Sequence, residues 1–225
     1  MTKIICTLSA YSAEIFSSLS TLFAAFLGAW FAFKLQNNHE KNVISEENRT
    51  ALNMIQVELM RKYNELLVIK KNFVSPIIDD PLYWMNIPSL SPRERTDDIN
   101  VSSLSFLVDS GEISVISEIL IAMEMYNEIV KSVNIRSIVH KDELQPKYEN
   151  IIRKYNGNLS LEILVKELSE RTVGTLINAT NGINELLPDA IAQFEKVVDL
   201  LYKAGKKKYP KRKIVIVAKK EEKDA

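Results

Sequence analysis

One cysteine, two histidines and six glycines in 225 residues remove several classes of chemistry at the outset. Cys6 has no partner for an internal disulfide, and with only His39 and His140 present no Cys/His set can build a structural zinc site. The glycines are too few for a phosphate cradle: neither G-x-G-x-x-G nor G-x-x-x-x-G-K-[ST] occurs, and there is no G-x-S-x-G nucleophile turn. No cofactor is expected. Alternating strand patterns are lacking except at Lys213-Ile214-Val215-Ile216-Val217, which is too short to stand alone. Net charge is missing too, since 29 Lys/Arg match 29 Asp/Glu. Along the chain the balance is uneven. Lys203 to Ala225 holds ten basic and three acidic residues, net +7, which leaves 19 against 26, net −7, in the first 202.

What the chain does have is 46% hydrophobic residues and one long uncharged run, Ile15 to Phe33, bounded by Glu14 and Lys34. Its 19 residues reach roughly 28 Å as a helix, close to the roughly 30 Å hydrocarbon core of a bilayer. The run ends in Trp30, Phe31 and Phe33, aromatics suited to the membrane interface, rather than in a small-x-small cleavage site, so an uncleaved anchor is expected in place of a signal peptide. Lys34, Lys41 and Arg49 follow the run while Lys3 and the amino terminus precede it, which predicts a single pass through the cell inner membrane with the C-terminal body in the cytoplasm. Ser20, Ala24, Gly28 and Ala32 recur every four residues. Small residues on one stripe let two helices approach closely, so a homo-oligomer through this helix is expected, although such residues are also common in membrane helices generally. Glu14 at the boundary can reach water, or serve a channel gate.

The remainder predicts an all-α fold: a single N-terminal transmembrane helix followed by a cytoplasmic up-and-down bundle of four or five helices. The segments are 1–14, the span 15–33, a helical domain 34–205 with a long loop at 75–100, and a basic tail 206–225. Lys34 to Phe73 lacks Gly and Pro, and Ala51, Ile55, Leu59, Tyr63, Leu66 and Phe73 fall at helical spacing, with Glu58 and Lys62 as a surface pair. Pro76, Pro81, Pro88 and Pro92 enforce the loop, whose centre Leu82-Tyr83-Trp84-Met85 covers the core or docks a partner. A second long helix is read from the stripe Ile116, Ile119/Leu120, Met123, Tyr126, Val130 and Val133, running to about His140. A third starts near Leu144 and Pro146 and ends at Asn156-Gly157-Asn158. A fourth is capped by Ser160 and continues to Leu187, and Pro188 opens a fifth that Gly205 closes.

Candidate chemistry is sparse. Arg136 and His140 share a helix face and resemble the Arg…His pair of helical ribonucleases of the HEPN superfamily, which implies charge stabilisation by the Arg and acid-base transfer by the His. That pattern has four to six residues between the two, whereas RSIVH has three, and capping of the second helix's C-terminal end is the competing role. Glu118, Glu124 and Glu128 on one helix, and Glu167 and Glu170 on another, lack the Glu-x-x-His pairs of a di-metal bundle and read as solvated. Lys203 to Lys220 carries nine Lys/Arg without an acid, including Lys206, Lys207, Lys208, Lys211, Arg212 and Lys213. This segment is a solubilising tail, a contact for anionic lipid, or a contact for nucleic acid, with Tyr209 the only aromatic for stacking.

The run FLGAWFAFKLQNNHEK, a span entering a charged helix, followed by the helical pattern around MYNEIVKSVNIRSIVH, is similar to the transmembrane effectors of bacterial retrons. The resemblance implies partnership with a reverse transcriptase and its non-coding RNA, and an antiviral action on the envelope that ends in growth arrest or death. It supplies no catalytic residues. A non-toxic membrane scaffold that tethers a cytoplasmic partner is the alternative, and a membrane-anchored HEPN-like ribonuclease the third.

Overall fold

A computed structural model describes residues 2–71, 82–90, 99–210 and 213–214, with side chains from Leu19 onward. Among these residues every regular element is helical. The chain forms two compact units, 1–48 and 49–225.

Helix α1, Thr2–Ile69, starts in the first unit and ends in the second. From Leu19 to Leu35 most of its large apolar side chains point outward. Leu22, Phe23, Phe26, Phe33 and Leu35 are each at least 64% exposed. Trp30 and Phe31 meet edge to face at 5.2 Å, and Lys34 Nζ lies 5.2 Å from the Trp30 ring centre, an aromatic-cation arrangement suited to a headgroup boundary. By length and composition α1 can cross a bilayer.

The second unit is built on three long helices: the 49–69 part of α1, helix α4 (Ile113–Val139) and helix α7 (Glu170–Lys208). Between them lie the short helices α2 (Tyr83–Asn86) and α3 (Ser105–Asp109), and the pair α5 (Gln145–Lys154) and α6 (Leu161–Leu168). The apolar stripes fall where the spacing predicts. Ile55, Leu59 and Leu66 of α1 are buried, as are Ile119, Met123, Tyr126, Val130 and Val133 of α4; Phe73 lies outside the described residues. Leu52 and Ile69 extend the α1 stripe, while Leu120 turns outward.

Contacts set the helix directions. Glu118 meets Gln193 and Arg136 meets Thr180, so α4 and α7 are antiparallel. Leu52 meets Gly205 and Tyr63 meets Glu195, so α1 is antiparallel to α7 and runs parallel to α4. These directions do not give the expected up-and-down bundle of four or five helices: between 70 and 112 the chain returns to the level of Leu52, near where α1 enters the second unit.

The helix breaks also move. Ser160 caps α6 by accepting from Ile163 N at 3.3 Å, as predicted, and Asn156 and Gly157 end the preceding helix with φ of 49° and 79°. The helix begun at Ser160 nonetheless stops at Leu168. Ser169 takes φ 118° and caps α7, which then runs through Pro188 and past Gly205 to Lys208. An interior proline disfavours a helix by about 3 kcal/mol. Here Ile183, Leu187, Ala190, Ile191 and Phe194 are buried on both sides of it, at about 1.5–3 kcal/mol for each large side chain, so burial prevails.

Candidate functional site

The buried stripe of α4 continues past Val133 to Arg136, Ser137 and His140, three, four and seven residues on, so the same register that builds the core aims a guanidinium inward. Arg136 is 2% exposed. Its Nη2 donates to the carbonyl oxygens of Trp84 (2.9 Å) and Ile87, Nη1 donates to that of Pro88 (3.1 Å), and Nε donates to Thr180 Oγ1 (3.2 Å). The Thr180 hydroxyl in turn donates to the Leu176 carbonyl at 2.7 Å. None of the four acceptors is a carboxylate. Burial lowers the guanidinium pKa to about 10, which still leaves it charged at neutral pH.

His140, half-buried one turn on, hydrogen-bonds the Met85 backbone, and its Nδ1 is buried without a partner among the described residues. Burial, then the charge of Arg136, holds its pKa below the usual imidazole value. Ser137 Oγ accepts from Leu90 N at 3.0 Å, and Tyr83 donates to Asn181 Oδ1 at 2.5 Å. Segment 83–90 is therefore fastened by side chains of α4 and α7. Its aromatic centre covers the core, one of the two expected roles, with Trp84 and Met85 buried. Pro76, Pro81 and Pro92 of the same predicted loop lie outside the described residues.

The structure thus brings Arg136 and His140 onto one face, as their spacing requires, and engages both with the loop backbone. Capping is overturned: Arg136 does not turn to the last carbonyls of α4, and the chain continues through a π-turn, His140–Leu144, directly into α5. Beside Arg136 is a cavity of about 20 Å³, bounded by Ile69, Leu90, Ser137, Thr180 and Asn184, with room for roughly one water and none for a nucleotide.

A second polar cluster was not foreseen. Lys62, read as a surface partner of Glu58, has no exposed side-chain area. Its Nζ sits 4.6 Å from the Tyr126 ring centre and 3.6 Å from Glu58 Oε1. Tyr126 donates to the Glu65 carboxylate, and Arg61 bridges Glu58 and Glu65 at 2.6 and 3.4 Å. Burial, the leading cause, pulls the Lys62 pKa down, whereas the Arg61 hydrogen bond holds Glu58 below the usual carboxylate value. The clue in the sequence was register: position 62 lies three residues beyond Leu59 and four before Leu66.

The other carboxylates are engaged singly. Glu118 accepts from Gln193 at 2.6 Å and pairs with Lys196 at 2.8 Å, and Glu167 accepts from Lys154 at 2.7 Å and Tyr155 at 2.9 Å. Glu124, Glu128 and Glu170 are exposed. Among the described residues no three His, Cys, Asp or Glu side chains gather as a metal site.

The described part of the basic segment is not a separate tail. Lys206, Lys207 and Lys208 form the last turn of α7, where positive charge suits the helix dipole. Lys207 pairs with Glu112 at 2.5 Å, and Lys208 bonds Ser110 Oγ at 3.0 Å above the Phe106 ring. Tyr209 and Ile214 are buried in the main core, and the Lys213 carbonyl accepts from Arg49 at 3.4 Å. A buried Tyr209 gives nucleic-acid bases no stacking surface. Lys211, Arg212 and the remainder of the predicted strand, Val215 to Val217, lie outside the described residues.

Ser20, Ala24, Gly28 and Ala32 are all exposed on α1, and a Cβ added at Gly28 meets nothing within 4 Å. No protein-family model, curated protein or solved structure shows significant similarity to this chain.

Proposed function

We propose that the chain is a membrane-anchored effector of bacterial antiviral defence. α1 spans the inner membrane once with the body in the cytoplasm, and a partner complex, of the reverse transcriptase and non-coding RNA kind, holds the protein inactive. Release lets the Ser20/Ala24/Gly28/Ala32 stripes associate and perturb the bilayer, so that growth stops. The observation that supports the membrane part of this reading is the apolar surface of α1: five large side chains between Leu22 and Leu35 are each at least 64% exposed. At about 25 cal/mol per Å² such a surface disfavours water and favours lipid. One span per chain cannot enclose a pore, so the mechanism requires self-assembly.

The test is membrane potential and viability after induced expression, comparing the full chain with a chain starting at Lys34, alone and with its neighbouring genes under phage challenge. Depolarisation and death that need residues 1–33 support the effector. Toxicity from both chains points to a soluble activity such as RNA cleavage. No effect under any condition points to a tethering scaffold. Gly28→Ile separates assembly from folding, because a Cβ added at this exposed position meets nothing within 4 Å. Oligomerisation and toxicity are expected to fall together, and their persistence removes the association step.

A further inference from the structure

Two irregular backbone segments flank residues 145–168. On one side is the π-turn His140–Leu144; such turns interrupt the regular hydrogen-bond ladder. On the other is Ser169, whose φ of 118° and ψ of 152° lie in a region that glycine alone adopts readily. The two are joined side by side. Thr172 Oγ1 donates to the Glu143 carboxylate, and Ser169 Oγ lies 2.8 Å from Thr172 Oγ1 while accepting from Thr172 N at 3.2 Å.

The hairpin between these segments is tied together internally. Glu167 of α6 holds both Lys154 and Tyr155 at the end of α5. The hairpin also has its own core: Ile151, Leu164 and Leu168 pack with Trp84 and Met85 of the loop and with Val173 and Leu176 of α7, apart from the main core of the body. An internally braced hairpin, entered and left through adjacent irregular turns and seated on a separate apolar cluster, has the construction of a lid on a hinge.

We propose that α5 and α6 move as one lid about the Glu143–Thr172 and Ser169 junction, uncovering Trp84, Met85 and Leu176 while α4 and the rest of α7 stay folded. Ser169 acts as a spring whose strain the open form relaxes, and the Thr172 bond acts as the catch. The inference does not rest on the membrane role.

Hydrogen exchange on the full chain in detergent micelles tests it. Amides of 145–168 are expected to exchange in one cooperative step, at least about tenfold faster than the buried amides of 119–133. Thr172→Val removes the catch and is expected to speed that step by about tenfold with 119–133 unchanged. Ser169→Gly relieves the strain and is expected to slow it severalfold. Equal protection of the two regions, or variants that shift both alike, overturns the lid.

Discussion

Lys62 and Tyr126 are stacked inside the body, the ammonium 4.6 Å from the ring centre and its side chain without solvent exposure. A cation over a ring face gains about 2 kcal/mol when desolvated, yet removing an ammonium from water costs several. Lys62→Met keeps the volume and leaves Glu58 paired with Arg61. The variant is expected to be stabilised by about 1 kcal/mol, a rise of about 2–4 °C in Tm for a unit of this size, measured by calorimetry.

Arg136 is the fastening of segment 83–90. Arg136→Ala leaves the Trp84, Ile87 and Pro88 carbonyls without their donor and opens a cavity, so the body is expected to lose about 3 kcal/mol. In a Trp30→Phe background, Trp84 emission is expected to shift to the red, because the indole is buried only while the segment is held. Unchanged emission and stability would contradict this role.

His140 makes the body sensitive to acid. Its pKa is lowered on folding, so the unfolded chain binds more protons once pH drops below the unfolded value of about 6.5. Stability contributed by neutral His140 is therefore complete above that value and declines as pH falls from it towards the lowered folded pKa. The slope contributed is at most about 1.4 kcal/mol per pH unit. Denaturant titrations between pH 7.5 and 5 are expected to show that slope in the native chain and its reduction in His140→Gln.

Gly205 is set by close approach. A Cβ there would lie 3.2 Å from both Leu52 methyls and 3.4 Å from Ile214. Gly205→Ala gains up to about 1 kcal/mol of helix propensity against that crowding and is expected to be nearly neutral. Gly205→Val adds two methyls to the contact and is expected to destabilise by about 1–3 kcal/mol, read from urea midpoints.

Helix class and inward faces were legible because burial repeats with the helix period. The stripes at Ile55/Leu59/Leu66 and Ile119/Met123/Tyr126 needed only spacing, and the Ser160 and Asn156-Gly157 ends needed only local backbone chemistry. Pro188 misled for the converse reason: its local penalty is clear in sequence, while the burial on both sides that outweighs it is a property of α4 and α7 packed together. Ser169 escaped notice because its neighbours continue an apolar rhythm; its side chain caps α7 locally through Thr172, and only the Thr172 hydroxyl reaches Glu143, 29 residues away.

Arg136, His140 and Lys62 mark the boundary between the two kinds of information. Sequence alone determined an apolar run of membrane length, an all-helical body and a shared face for Arg136 and His140, since each follows from composition or from a period of 3.6 residues. Only the tertiary structure decided what those groups touch. It set α1 parallel to α4, seated Lys62 over Tyr126, turned Arg136 onto three loop carbonyls and anchored the basic segment through Tyr209 and Ile214. The partners lie 44 to 164 residues away in the chain, and contacts at that separation are selected by the packing of the whole body rather than by any local preference.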